Sequence, residues 1–433
     1  MLKSKFLQNN LIFMIGTLIS GLLGYAFHFV VSRQISVAQY GELQSLLSIM
    51  LIFGVFNSTL GYFAIRHTSV FAAHDDRTAN IGFTAYLQTK VFKFATTLFI
   101  ILIVASPLLA QLLHFSSYAG FIIISFATFL SSMTIVYSEV LRGWNKFFLL
   151  TMVGITAALA KLLSGAILAF LSHNTATVSF SFLIAAAISW QLSKFWANEK
   201  ITGETVSRNG SSWKNKYFSE DSIRKSATNI FFFSLTLLLV SNLDVLLVKY
   251  FSSAETAGYF GAFGLLGKLV LWLNLPVVGV LLPEACSEGH AGKRPVENIL
   301  KSYGLMTIIA LGLMATYFFF SDFVVNTFFG NKYVFDTQIL WMFALMSYLL
   351  SILTLEANLS FARRDFRVIY LLAATVILMT AILAKYHINL QQIVLSFSAS
   401  FLLGYILILI LNLYYNKSFS PQMRGDVRRT EGC

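Results

Sequence analysis

Two lysines stand inside long apolar runs, Lys161 in AALAKLLSG and Lys268 in GLLGKLVLW. An ammonium in hydrocarbon costs about +2.5 to +3.5 kcal/mol on insertion scales. From the middle of a run neither side chain snorkels easily to an interface. Each therefore needs a wet cavity or a buried partner. Two cations with no equally central acid point to an anionic ligand, a phosphate above all. The competing reading is a structural pair with a carboxylate or with carbonyls at a helix end. Arg33 and Lys249 mark the outer edge of their runs, where they either meet an anionic cargo or anchor at headgroups. His28 and Asp244 stand 216 residues apart at matching places, in the outer third of their runs. His28 reads as a gate residue or a hydrogen-bonded core histidine. Asp244 has three candidate partners: a coupling cation, His28, or Lys249, which is five residues on and poorly spaced for a helical ion pair. Glu139 with Arg142 behind it, Glu356, and Glu284 after Pro283 read as structural or interfacial acids at helix ends. Pro276 removes a backbone hydrogen bond and kinks its helix, with Asn274 placed to bond a freed carbonyl. The helix that carries both Lys268 and Pro276 is the best candidate for a mobile, cavity-lining element, with Pro276 as its hinge. Gly16, Gly21 and Gly24 would allow close helix packing.

The elements that position these residues are membrane spans. The chain is 57% hydrophobic and 12% charged, with a mean hydropathy of +0.73, whereas soluble domains carry about 25% charge. Such a chain has too few ionisable groups to cover a water-facing surface. A spanning helix needs roughly 20 mostly apolar residues. Runs of roughly 20–25 residues start near Leu11, Glu42, Phe83, Tyr118, Phe148, Ala176, Ser226, Gly258, Ile299, Phe335, Val368 and Leu390. This predicts an all-α membrane protein of about twelve transmembrane helices. The first run is too long for a signal-peptide core and has no small-residue cleavage site. The two cysteines, Cys286 and Cys433, give no disulfide framework.

Charge sets the orientation. With the N-terminus inside, 25 of the 31 Lys and Arg fall on the inner side, four at outer ends (Arg33, Lys249, Lys332 and Lys385) and two, Lys161 and Lys268, within spans. The split predicts an even helix count, with both termini cytoplasmic in a multi-pass protein of the cell membrane. It also accounts for the net charge of +12 without nucleic acid. The outer stretches Ser106–Ser117 and Ser172–Thr177 carry no charge. The expected organisation is a six-helix bundle over 1–197, a cytoplasmic linker over 198–225, a second six-helix bundle over 226–416 and a cytoplasmic tail over 417–433.

The halves look related. FHFVVSRQISVAQYGELQSLLSI (Phe27 to Ile49) and LDVLLVKYFSSAETAGYFGAFGLLG (Leu243 to Gly267) each run from a basic residue at the membrane edge through a short Ser/Ala loop to a Gly and the next span. Six spans per half give parallel repeats about an axis along the membrane normal, an arrangement suited to a transporter. The sequence has no phosphate loop, zinc-type Cys/His spacing or nucleophile elbow. An enzyme, a cofactor and a metal are accordingly not expected.

The stretch Asp244 to Glu284 resembles the polysaccharide and oligosaccharide-lipid flippase family of the multidrug/oligosaccharidyl-lipid/polysaccharide exporter superfamily. The features are an Asp in span seven, LLVKYF, SSAETAGYFGAFGLLGKL, and a helix ending in VLLPEACS. VSRQISVAQYGELQSLLSIM is the counterpart at span one, and NLSFARRDFR (Asn358 to Arg367) resembles the family's exit from span ten. The resemblance implies a V-shaped pair of six-helix bundles with spans one, two, seven and eight lining a central cavity. It implies a polyprenyl-(pyro)phosphate-linked oligosaccharide as cargo, moved for surface polysaccharide (for example lipopolysaccharide) biosynthesis. Lys268 would meet the phosphate, and His28 and Asp244 would sit near the cavity mouth. Lys161, on span five, fits that picture less well. Membrane lipids and glycosyltransferases or a polymerase of the same pathway are the implied partners. A cation-coupled drug or metabolite antiporter is the first alternative, and Asp244 is its only support. A non-transporting subunit of a polysaccharide assembly complex is the second. A facilitator-superfamily transporter would carry a basic Gly-Asp-Arg signature where this chain reads RHTSVFAAHDDRTAN.

Overall fold

The computed structural model describes residues 5–199, 220–291, 296–333 and 336–418, and every regular element in them is helical. Twelve of the helical segments are long and apolar enough to cross a membrane. The protein is a multi-pass, all-α membrane protein. Side chains such as Leu22, Val104, Ile308 and Tyr370 are more than two-thirds exposed, as an apolar solvent permits. The expected linker and tail lie mostly outside the described residues, as do Cys433 and the side chains of Pro283, Glu284 and Cys286.

The chain divides into two compact units at Ser234 and Leu235. The first holds α1 (Lys5–Gln34), α2 (Val37–Phe53), α3 (Val55–Ala73), α4 (Arg77–Leu112), α5 (Ala119–Gly143), α6 (Phe147–Ser172) and α7 (Thr175–Ala197). Helix α8 (Glu220–Phe251) leads into the second, which holds α9 (Ala254–Ala291), α10 (Val296–Phe319), the short α11 (Ser321–Phe329), α12 (Leu340–Ala362), α13 (Arg367–Lys385) and α14 (Leu390–Ser418). In each unit the fourth span is the central post: α5 is 61% buried over its apolar window and the α12 span 78%. Several of their hydroxyls are satisfied within the helix, although Ser347 and Thr354 on α12 are buried without a hydrogen-bond partner. Ser125 donates to Phe121 O at 2.7 Å, Thr128 to Ile124 O at 2.8 Å, and Ser351 to Ser347 O at 2.7 Å. Bonding to the carbonyl one turn back is how these three small polar residues enter an apolar core.

The repeat noted at the ends of spans one and seven is visible in cap chemistry. Ser36 accepts from Gln39 N at 3.2 Å and Gln39 Oε1 accepts from Ser36 N at 3.1 Å, closing a capping box at the start of α2. At the equivalent place Ser253 Oγ accepts from Thr256 N at 3.1 Å. Both turns are a few residues long, so the helices on either side leave the membrane and re-enter close together.

Spans two and three exceed the 20–25 residues expected. Helices α2 and α3 form one span of 37 residues, and α4 has 36. At 1.5 Å per residue each is about 55 Å long, against roughly 30 Å of hydrocarbon. The apolar window finds only their middles. Beyond it, packing continues the helices: the His67 ring stacks on Phe83 at 4.8 Å, beside buried Ala64, Phe71 and Leu87. The same extension carries α4 through Ser106 and Pro107 to Leu112, so the outer turn is shorter than Ser106–Ser117. The long span bends at Gly54, whose N–H reaches both Met50 O and Leu51 O at 3.0 Å. A Cβ there would stand 2.8 Å from Leu51 O.

Of the three span-one glycines, Gly16 abuts Thr151 on α6, Gly24 has room to within 4.0 Å of Lys161 Nζ, and Gly21 faces open space. Close packing therefore accounts for Gly16 alone. In the second unit Gly267 on α9 packs against backbone: a Cβ there would stand 2.6 Å from the backbone oxygen of Phe343 on α12. Backbone cannot swing away as a side chain can. Gly267→Ala is expected to cost about 1–3 kcal/mol, read as a lower melting temperature of the purified protein.

At the turn between α12 and α13, Asp365 is capped by its own loop. Burial pushes its carboxyl up, but Arg367 outweighs that and holds it below the usual carboxylate range. Arg367 reaches it with Nε at 2.8 Å and Nη2 at 2.7 Å. A lowered folded-state pKa stabilises the fold above the unfolded value of about 3.9 and loses that contribution as pH falls through the folded value. Arg367→Gln should therefore shift the acid edge of a melting-temperature profile to higher pH.

Candidate functional site

The second unit brings together two of the residues singled out above. Asp244 on α8 and Lys268 on α9 form an ion pair, with Nζ 3.0 Å from Oδ2 and 3.3 Å from Oδ1. Nζ also donates to Ser241 O at 3.0 Å. Ser241 and Asp244 are one turn apart on one face of α8, so a single ammonium spans both. The carboxylate is 2% exposed and the lysine side chain 19%. This is the carboxylate pairing weighed above as the competing reading for Lys268. Counted from their helix ends, Asp244 lies about 10 Å deep and Lys268 about 21 Å. The long lysine stem, reaching back along α9, closes that gap. Asp244 pairs with Lys268, the partner that spacing along a single helix did not suggest. Lys249, in the last turn of α8, is fully buried.

In the first unit, Lys161 projects from α6 toward α1 and α7. Its Nζ lies 4.9 Å from the Phe27 ring centroid and 5.5 Å from that of Phe182. The two rings meet edge to face at 5.3 Å. Phe27 fits against α6 because position 165 is glycine, one turn beyond Lys161; a Cβ there would collide with the ring. Among the described residues no carboxylate stands within ion-pair distance of Lys161. Its positive charge is held by aromatic faces, an interaction worth about 0.5–2 kcal/mol. Lys161 thus belongs beside span one, which span counting alone did not reveal. The next residue of α1 after Phe27 is His28, 8% exposed. Its Nδ1 is hydrogen-bonded to the Tyr40 hydroxyl at 3.2 Å, and Gln44 Nε2 donates to the same hydroxyl at 2.7 Å. Arg33 is exposed in the last turn of α1, where a cation suits the helix C-terminus.

Pro276 is exposed, and α9 continues through it from Ala254 to Ala291. Asn274 is fully buried, and neither of its carboxamide atoms has a hydrogen-bond partner. It does not cap a carbonyl freed by the proline, contrary to expectation. Two acids expected at helix ends are also deeper than their positions suggest. Glu356 on α12 is fully buried, and Tyr303 from α10 donates to its Oε1 at 2.8 Å. Asn412 of α14 donates to Oε2, and its own Oδ1 accepts from Ser360 at 2.6 Å. Glu139 on α5 is 4% exposed and pairs with Arg142 at 3.1 Å. The signal for Glu356 was present as a lone acid within an apolar run, but its donors come from helices about fifty residues away in sequence.

The fold has relatives among solved transporters. The inward-facing form of a multidrug resistance MATE family transporter of the MOP superfamily superposes with a TM-score of 0.69 at 12% identity, covering 93% of this chain and 96% of that one. The lipid II flippase MurJ, inward closed, gives 0.64 at 16% identity, covering 93% and 87%. A MOP superfamily transporter from Pyrococcus furiosus gives 0.62 at 13% identity, covering 95% of each chain. These likenesses establish the fold as that of MOP superfamily transporters. No curated protein matches this chain in sequence. Residues 30–335 match the polysaccharide biosynthesis protein family, and the chain belongs to it.

Proposed function

We propose that the protein is a flippase that carries a polyprenyl-(pyro)phosphate-linked oligosaccharide from the cytoplasmic to the outer leaflet of the cell membrane. The observation that carries this reading is Lys161, a membrane-embedded ammonium held by aromatic rings with no acid to neutralise it among the described residues. Such a cation is available to a phosphate. Lys268 is committed to Asp244 and becomes available only when that pair opens. Lys161 is therefore the resting phosphate site, and Asp244–Lys268 is the gate, opened by an arriving phosphate or by a cation or proton that takes over Asp244. His28, held by Tyr40, orients the wall beside Lys161, and Arg33 meets the phosphate at the end of α1. Pro276 is the hinge of α9. Both termini face the cytoplasm.

Family membership favours polysaccharide precursors over drugs, and MurJ shows that this fold serves a lipid-linked cargo. The MATE neighbours keep the antiporter reading open, and the Asp244–Lys268 pair is the feature that favours it. The test is translocation of a fluorescent polyprenyl-pyrophosphate-linked oligosaccharide in proteoliposomes. Cargo reaching the far leaflet in a protein-dependent manner supports the flippase. Cation-driven efflux of ethidium without glycolipid movement would move the assignment to the antiporter. Neither activity in well-folded protein, together with co-purification of glycosyltransferases or a polymerase, would favour the assembly subunit.

A further inference from the structure

The first unit contains a second polar site, away from Lys161. Along one stripe of α3 run Ser58, Gly61, Tyr62, Ile65, Ser69 and Ala72, facing α5. Two cavities of about 390 and 440 Å³ lie in this trough and share Ile65 and Arg142. Each falls within the range of small-molecule sites, about 300–1,000 Å³. From Asn57 to Ala72 the trough is roughly 22 Å long, at 1.5 Å per residue. It exists because α3 is small where α5 carries charge. Gly61 faces Glu139, and a Cβ there would stand 3.6 Å from Oε1.

The wall contains unused hydrogen-bonding capacity. Glu139 gives one oxygen to Arg142 Nη1 at 3.1 Å. Its other oxygen, Oε2, is buried without a partner, as are Asn57 Oδ1 and Arg142 Nε. Leaving a buried polar atom unmade costs free energy comparable to a lost hydrogen bond, so these three atoms give the wall capacity to hold a polar ligand. These atoms lie within the wall, and a ligand reaches them by a side-chain shift. The lining's two charged residues cancel. A phosphate would face two bare acceptors, Glu139 Oε2 and Asn57 Oδ1, and a cation would face the guanidinium. A neutral polyhydroxyl ligand satisfies both sets, giving O–H groups to the acceptors and lone pairs to Arg142 Nε. Tyr62, 47% exposed, adds an apolar face of the kind that packs on sugar rings.

We infer that this α3–α5 trough binds the glycan of the cargo, while the cationic residues bind its phosphate. The assignment rests on the lipid-linked oligosaccharide reading above. Binding to the full-length protein in nanodiscs is measured for two probes. One is the lipid-linked oligosaccharide extract of the cells the protein comes from, and the other is sugar-free farnesyl pyrophosphate. Wild type should prefer the extract. Glu139→Gln, Asn57→Ala and Tyr62→Ala should each weaken the extract about tenfold, the cost of one good hydrogen bond or ring contact. Each should leave farnesyl pyrophosphate within about twofold, well under the 1.4 kcal/mol that a tenfold change represents. Melting temperatures confirm that the variants fold. Equal weakening of both probes would mean a structural ion pair only and overturn the assignment. No weakening of either, or no wild-type preference for the extract, would overturn it too. If farnesyl pyrophosphate does not bind wild type, the phosphate reading fails by itself. Glycan released from the extract by mild acid then tests the trough directly, and its failure to bind would overturn the assignment.

Discussion

Lys161→Ala is expected to reduce glycolipid translocation about a hundredfold, with the protein still folded. Truncating one member of a desolvated charge contact costs about 2–5 kcal/mol, and every 1.4 kcal/mol is tenfold in affinity. The loss should fall on cargo binding, because in the absence of cargo the ammonium has only aromatic faces to lose. Removing it relieves a desolvated charge, so stability should hold or rise. Lys161→Arg should recover most of the transport, since a guanidinium also stacks on rings and binds phosphate. Lys161→Gln, similar in length and uncharged, should not. Proteoliposome transport at several cargo concentrations, beside melting temperatures, checks this. Transport unchanged in the alanine variant would remove Lys161 from the phosphate site. A collapse of stability would show that the cation–π contacts are its whole role.

Much of the architecture was legible because a bilayer imposes a simple rule. Every spanning segment must satisfy its own backbone and show an apolar surface, so hydropathy reports the twelve spans directly. The repeat was legible for a local reason: Ser36 and Ser253 cap the second helix of each half, and caps are short-range chemistry. What remained hidden depends on neighbours remote in sequence. The Asp244–Lys268 pair was obscured because depth counted along each helix ignores the reach of a lysine stem. Lys249 looked like a headgroup anchor from its place near a helix end, yet it is fully buried. Glu356 and Asn274 were visible as polar residues, but which of them would find a donor was decided by the packing of α10 and α14. The Asn57–Glu139 trough is the extreme case. Glu139 and Arg142 stood out as an acid and a base near a helix end, but only the passage of Gly61 across α5 sets them in one trough with Asn57 and Tyr62.

Asp244→Asn and Lys268→Met should each destabilise the protein by about 3–5 kcal/mol, and the double variant should recover most of that. The reason is the asymmetry of buried ion pairs. Breaking one by removing a single partner strands a charge, whereas replacing both with neutral groups of similar size is often close to neutral. Here Asp244 is 2% exposed, so stranding it is the costlier case and Lys268→Met should be the worse single variant. Lys268 has more exposure and a second contact at Ser241 O, which softens Asp244→Asn. The coupling energy from the double-mutant cycle, measured by thermal or denaturant unfolding in detergent, should be large and favourable. Stability and transport should then separate. If the pair is a gate, the double variant folds well and yet transports glycolipid poorly, or without response to an imposed cation gradient. If the pair only staples α8 to α9, the double variant regains transport in step with its stability, and the gating role is lost. A cycle showing no coupling would contradict the ion pair itself.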